Sequence, residues 1–178
     1  MIRAPIWLVT GVPGAGKTSV CDELARRYVA GVHLETDLMY EEGMHVFGEL
    51  DRPIDRLMFR RGVALLAAEF AMSGVAVVID DTLENDDERR AYTDRLKGVR
   101  LVHLLPPLEV ALARNASRTN KPEGDAPMLD RTARRLYPRM RQVHTAERGW
   151  HVLDSTGLDA VETVDTLIER FGLEEPGD

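Results

Sequence analysis

Apolar positions fall into two rhythms that alternate along the chain. Short, nearly unbroken apolar runs lie at 5–10 (PIWLVT), 32–35, 75–79 (VAVVI), 99–105 and 150–153. Runs of this length and content read as strands buried on both faces. Between them the apolar residues recur at helical spacing. Residues 17–29 carry Val20, Leu24 and Tyr28, with Cys21 beside them. Residues 38–47 read as a helix that breaks over 49–53. Pro53 suits the first turn of the next helix, which runs to about Met72 and is ended by Gly74. Further helices are predicted over 85–97, 108–118 and, long and basic, 128–148. The segment 158–171 places Leu158, Val161, Val164, Leu167, Ile168 and Phe171 on one helical stripe. Residues 119–126 are polar with Pro and Gly and read as a loop, and the acidic tail from Gly172 reads as frayed.

Five strands separated by helices imply parallel pairing through right-handed crossovers, hence a three-layer α/β domain. No repeat, low-complexity tract or linker divides the chain, so 1–178 reads as one domain. Composition acts mostly by exclusion. At 178 residues, 44% hydrophobic and 30% charged, the chain has enough apolar content for a real core, and wholesale disorder is excluded. No apolar run approaches the ~20 residues of a membrane span, and MIRAPIWLVTG lacks a signal-peptide pattern. With a single cysteine there is no internal disulfide, and a cytoplasmic location is expected. A net charge of −7 does not attract polyanions, so nucleic-acid binding would need a local basic patch. Only three of the 23 basic residues are lysines, Lys17, Lys97 and Lys121, and one of these lies in the most informative motif.

That motif is Gly11-Val12-Pro13-Gly14-Ala15-Gly16-Lys17-Thr18, which fits G-x-x-x-x-G-K-[ST] without a mismatch and lies between a predicted strand and a predicted helix. Glycines let backbone N–H groups curl around a phosphate, and the helix that follows, entered through Lys17, Thr18 and Ser19, aims its positive end at the same anion. Lys17 can reach the β- and γ-phosphates of ATP, and the Thr18 hydroxyl can ligate Mg²⁺.

Acidic residues stand at the ends of the next two strands. Ligands bind beyond the carboxyl ends of strands in an open parallel sheet, so Asp37, after the second strand, shares a rim with the phosphate loop. It can take the proton of an attacking hydroxyl, or serve as a helix N-cap; Glu35 is the competing candidate. Asp80 ends the VAVVI strand and is the choice for orienting Mg²⁺. Asp81 or Thr82 then faces an acceptor, with Asp81 equally suited to capping the next helix. Asp86, Asp87 and Glu88 read as a solvated first helical turn.

Arg114 and Arg118 lie four apart on one helical face, followed by a polar loop and then Arg131, Arg134, Arg135, Arg139 and Arg141. A helix–loop–helix over about 114–135 with these residues reads as a lid whose guanidiniums neutralise a triphosphate, with a solvated helical face paired with surface acids as the alternative for all of them. Arg52, Arg56, Arg60 and Arg61 decorate a helix near the acceptor side. Asp154-Ser155-Thr156-Gly157 follows the last strand; its backbone can hold adenine at Thr156 and Gly157, while Ser155 or Thr156 caps the final helix. The histidines lack metal-ligand spacing, and His33 and His103 read as structural. Cys21, Trp7 and Trp150 read as core.

With these motifs the chain resembles the small P-loop kinases that phosphorylate hydroxyl groups, over nearly its full length. Val77-Val78-Ile79-Asp80-Asp81 and Asp37 resemble the chloramphenicol phosphotransferase-like group. Leu112-Ala-Arg114-Asn-Ala-Ser-Arg118-Thr and Asp80-Asp-Thr82 resemble the bacterial polynucleotide 5′-hydroxyl kinase domain. The resemblance implies strand order 2-3-1-4-5, ATP–Mg²⁺ as donor, Asp37 as general base, Lys17 on the phosphates and lid arginines at Arg114 and Arg118. Polynucleotide kinases carry an arginine shortly after the base aspartate, where this chain has Leu38-Met39-Tyr40. Apolar Leu38, Met39, Met44 and Phe47 suit a less charged small molecule. The expectation is therefore an ATP-dependent phosphotransferase acting on a small antibiotic-, sugar- or nucleoside-like hydroxyl compound. A polynucleotide 5′-hydroxyl kinase and an acceptor-free ATPase or switch are the rivals.

Overall fold

The computed structural model describes residues 4–43, 55–117 and 126–173. In chain order its elements are β1 (Ile6–Thr10), α1 (Lys17–Arg26), β2 (Gly31–Glu35), α2 (Thr36–Glu41), α3 (Arg56–Met72), β3 (Ala76–Asp80), α4 (Asp86–Thr93), β4 (Arg100–Leu104), α5 (Leu108–Ala116), α6 (Ala126–Val143), β5 (His151–Leu153) and α7 (Ala160–Phe171). Among the described residues the strands form one parallel sheet in the order β2-β3-β1-β4-β5, as the alternating pattern and the resemblance implied.

The sheet has a core on each face because side chains alternate along a strand. From the central β1, Trp7 and Val9 pack against Val20 and Leu24 of α1, Leu136 and Met140 of α6 and Leu167 of α7. Ile6 and Leu8 point the other way, onto Val63 and Ala67 of α3 and Tyr92 of α4. All five β1 residues are buried, which is why the strand reads as a continuous apolar run. Each large side chain sealed this way contributes about 1.5–3 kcal/mol. The polar atom of Trp7 is satisfied as well, its Nε1–H donating to Tyr28 Oη at 2.9 Å.

Several element ends differ from the sequence expectation, each for a local reason. The first helix stops at Arg26 because the chain must turn into β2, where a side chain at Gly31 would run into the Ala25 carbonyl. The second begins at Thr36, with Glu35 in extended backbone before it, so Asp37 lies in the first turn and is not the N-cap. Asn85 caps α4 by accepting from Glu88 N–H, which leaves Asp81 no capping role. That helix ends at Thr93, not at 97. The basic helix runs 126–143, and a single 3₁₀ turn, Ala146–Arg148, follows and closes on Gly149. Neither Ser155 nor Thr156 caps α7; Asp159 does, in a reciprocal capping box with Glu162. No helix among the described residues is long and apolar enough to cross a membrane.

Candidate active site

The site grows from the end of β1. Beyond Thr10 the chain turns through Gly11–Gly16 into α1, with Gly14 (φ 85°) and Gly16 (φ 96°) in the left-handed region that favours glycine. A side chain at Gly14 would also collide with the Ala111 carbonyl of α5. The loop is anchored from behind: Val12 and Ala15 are buried in the core, and buried Asn115 donates its Nδ2–H to Pro13 O and to Asp130 Oδ1, both at 3.3 Å. Gly16 supplies no side-chain cap. The first-turn N–H groups of α1, at Lys17, Thr18 and Ser19, are therefore left for an anion.

On one side of the loop lies a groove of about 270 Å³ lined by Gly14, Gly16, Thr18, Arg114, Ser155 and Leu158, among others. Arg114 ties its walls together. Its Nη2–H donates to Ser155 O at 2.7 Å, and its Nη1–H donates to Ser155 Oγ at 3.2 Å and Ala15 O at 3.3 Å. Thr156 and Gly157 do not line this groove; the Thr156 N–H and hydroxyl both donate to Asp154 Oδ1. Ser155 and Leu158, their neighbours, do.

At the bottom of the loop the Thr18 hydroxyl donates to Asp80 Oδ2 at 2.9 Å, and Glu35 Oε1 lies 3.5 Å from the same hydroxyl. Glu35 and Asp80 are direct partners in the β2–β3 register, so strand pairing itself brings the two carboxylates together. Lys17 Nζ stands 3.9 Å from Asp80 Oδ1. Burial pushes the Asp80 carboxyl above its ordinary range, and the Lys17 ammonium and Thr18 hydroxyl pull it back. A hydroxyl and two carboxylates form an oxygen-only donor set, which fits a hard cation such as Mg²⁺. Behind Asp80, Cys21 Sγ and His33 Nε2 complete a triad whose ligand atoms lie within 4.8 Å of one another. Strand packing thus collects groups whose spacing in sequence gave no such indication. Desolvation, and next the charge of Asp80, hold the Cys21 thiol well above its usual range.

On the other side of the loop, beginning at Pro13, is a second cleft of about 430 Å³ lined by Asp37, Arg56, Thr82, Glu84, Thr132 and Arg135, among others. Asp37 accepts from Arg56 Nη1 at 2.8 Å, and the same guanidinium lies over the Tyr40 ring at 4.2 Å. Both partners are well exposed, so this pair adds little to stability but fixes where the Asp37 carboxylate points. Opposite it, Arg135 of α6 makes a two-pronged bond to Glu84 at 3.0 and 2.9 Å, which holds the Glu84 carboxyl below its usual range.

Beneath this cleft, two expectations need correction. Arg60 is not surface decoration: its side chain is 7% exposed and donates to Asp81 Oδ2 at 2.7 Å and Oδ1 at 3.1 Å. Asp81 does not face an acceptor, because Arg60 and the Tyr92 hydroxyl (2.7 Å) occupy its oxygens, while Glu88 pairs with Arg60 at 3.1 Å and is not merely solvated. Burial alone would lower the Arg60 guanidinium, but its bonds and charge interactions with Asp81 and Glu88 outweigh this and raise it; Tyr92 is raised by burial and by the Asp81 charge.

The structure thus brings Lys17, Thr18, Asp80 and Glu35 to one point and sets Asp37 in the cleft next to it. Arg114 stands at the far wall of the first groove, and Arg131, Arg134 and Arg139 lie exposed on α6. Arg118, most of the expected lid loop, Met44, Phe47, Arg52 and Pro53 lie outside the described residues. Sequence reading missed the pairing of Arg56 with Asp37, of Arg135 with Glu84, and the anchoring by Asn115. Each joins elements separated by 15 or more positions, and only for Asn115, inside the arginine-bearing stretch, was there a local signal.

Comparison with known proteins is consistent with this geometry. A family profile described as an AAA domain (AAA_33) matches residues 6–138. The chain is 30% identical over 177 residues to the shikimate kinase of Frankia casuarinae, spanning 93% of this chain and 72% of that protein. A sugar kinase structure from Janibacter sp. matches with a TM-score of 0.70 at 19% identity, over 96% of this chain and 95% of its own. The tunicamycin resistance protein of Deinococcus radiodurans matches with a TM-score of 0.63 at 19% identity, over 98% and 100%. At such identities the two structures establish the shared α/β P-loop fold.

Proposed function

The chain belongs to the AAA domain family of P-loop kinases, and as an ATP-dependent kinase, we propose, it moves the γ-phosphoryl group to a hydroxyl of a small organic molecule. One observation carries this reading. The phosphate loop separates two cavities, and the one opposite the Arg114 groove holds a carboxylate, Asp37, fixed by Arg56. A volume of about 430 Å³ suits a small molecule. The cleft walls offer hydrogen-bonding groups at Thr82, Thr132, Glu84 and Arg135 beside apolar Met128 and Leu129. The names of the relatives, a shikimate kinase and a sugar kinase, support a polyhydroxylated acceptor.

In this reading the loop amides and Lys17 hold the phosphates, and the groove between Arg114, Ser155 and Leu158 takes the nucleoside. Thr18 and Asp80, with Glu35 beside them, would hold Mg²⁺, which supplies charge neutralisation at the phosphates. The acceptor oxygen bonds to the γ-phosphorus as the bond to the β–γ bridging oxygen breaks, and the acceptor proton passes to Asp37. Arg56 holds that carboxylate in position beside the cleft. Arg114, by bracing the groove, keeps the nucleotide in line, and Arg118 would serve with it on the lid side.

The test is Asp37→Asn, assayed with sugars, cyclic hydroxy acids, nucleosides, antibiotics and 5′-hydroxyl oligonucleotides as acceptors. Transfer should fall about 10²–10⁴-fold, while calorimetric affinity for MgATP stays within about threefold. Undiminished transfer refutes the base assignment. Phosphorylation of oligonucleotides alone, or ADP release as fast without acceptor as with one, refutes the small-molecule reading.

A further inference from the structure

Helix α3 has two faces with different occupations. Its inner face, Arg60, Val63, Ala64, Ala67 and Ala71, is buried against the sheet and beneath the cleft. Its outer face carries Met58, Leu65 and Met72, exposed to 47%, 63% and 55%. Seven residues fall about 20° short of two helical turns. The three side chains therefore form one apolar stripe about 21 Å long at 1.5 Å per residue.

Read outward from Leu65, this face is matched in both directions, small with small, apolar with apolar and charge with opposite charge. Three places away stand Gly62 and Ala68, both small. Four places away stand Arg61 and Glu69, of opposite charge. Seven places away stand Met58 and Met72, both flexible and apolar. Neither Arg61 nor Glu69 makes an ion pair with any described residue. Gly62 is unusual too. It lies mid-helix, where glycine is less favourable than alanine, yet its backbone does not need glycine and, among the described residues, nothing stands within 4 Å of where a Cβ would be. Among the described residues no close contact calls for it.

We propose that this face is the docking surface for a second copy of the chain, with the two α3 helices antiparallel about a two-fold axis at Leu65. A dyad there carries each residue before Leu65 onto the equivalent place after it. Arg61 then meets the partner's Glu69 at two symmetry-related crossings. Met58 packs on the partner's Met72, and Gly62 lets the backbone come close to the partner's Ala68. Parallel docking would set Arg61 against the partner's Arg61, so the charges select the antiparallel arrangement. An unrelated partner has no reason to match a pattern that is its own complement. One helix pair of this length lies at the low end of specific interfaces, so the dimer is reversible, with a dissociation constant on the order of micromolar.

Analytical ultracentrifugation of the full chain from about 1 to 300 μM should show a monomer–dimer equilibrium spanning that range. Leu65→Arg should weaken it at least tenfold. Arg61→Glu and Glu69→Arg should each weaken it about three- to tenfold by setting like charges together, and the double variant Arg61→Glu/Glu69→Arg should return it toward the original value. Gly62→Gln should raise the melting temperature of the monomer through helix propensity while weakening the dimer, a pair of opposite effects that misfolding does not produce. A chain that stays monomeric throughout overturns the proposal. So does a dimer indifferent to Leu65→Arg, or a double charge variant no tighter than the single ones.

Discussion

The two sides of the phosphate loop are built by different means. The side proposed for the nucleotide rests on backbone: left-handed glycines, uncapped helix amides, and an arginine that ties carbonyls together. The side proposed for the acceptor rests on side-chain charges delivered by α2, α3, α6 and the segment after β3, each paired with an opposite charge from another element. Beneath it, the segment 81–84 is held by the buried Arg60–Asp81 pair and by His144, whose Nε2 bonds to Leu83 O at 2.7 Å. A backbone cradle accepts a ligand common to many proteins. Charge pairs carried on separate elements can be exchanged one at a time without rebuilding the cradle, so acceptor choice can change while the donor stays the same.

The comparison is attacked most strongly at Arg60. Arg60→Ala should cost about 3–5 kcal/mol in urea unfolding by leaving Asp81 buried without its cation. A loss below about 1 kcal/mol would mean that the acceptor side does not depend on that pair. Next in size is a pH effect on the same segment. His103 donates Nδ1–H to His144 O at 3.0 Å, and burial holds its imidazole down to about 4, against an ordinary 6.5. The folded chain therefore binds fewer protons than the unfolded chain between those values. Stability falls as pH drops from 6.5 to about 4 and this contribution levels off below, by about 3 kcal/mol in all. His103→Asn should flatten that part of the profile; an unchanged slope would assign it to other groups. The smallest effect on stability belongs to Arg135→Gln. With Arg135 and Glu84 at the surface, less than about 1 kcal/mol is at stake, but the acceptor KM should rise while MgATP affinity stays constant. Equal losses in both would erase the division between the two sides.

That division also explains what the sequence could and could not convey. Gly11 to Thr18 is legible because eight contiguous residues both bend the chain and present its amides. Asp80 is legible because it closes an apolar strand of a known sort. Asp37 could be placed on the rim, but its partner Arg56 could not, since 19 positions intervene and only the angle of α3 brings them together. Asp81 misled because a carboxylate at a strand end looks the same whether it faces a ligand or a buried guanidinium. The first and second helices ended or began elsewhere because tight turns at Gly31 and Thr36, not apolar spacing, set their limits. The sequence after the last strand points to Thr156 and Gly157, whereas Ser155 lines the Arg114 groove, a one-residue difference that loop conformation alone decides.

The chain's single thiol sits on α1 two turns at most from the loop's lysine, sealed in the core and hard to ionise. Electrophiles and peroxides attack the thiolate, so packing withholds both the charge and the access they require. A sulfur atom next to the proposed cation ligands is thereby shielded from the oxidants that would reach an exposed cysteine in the same place.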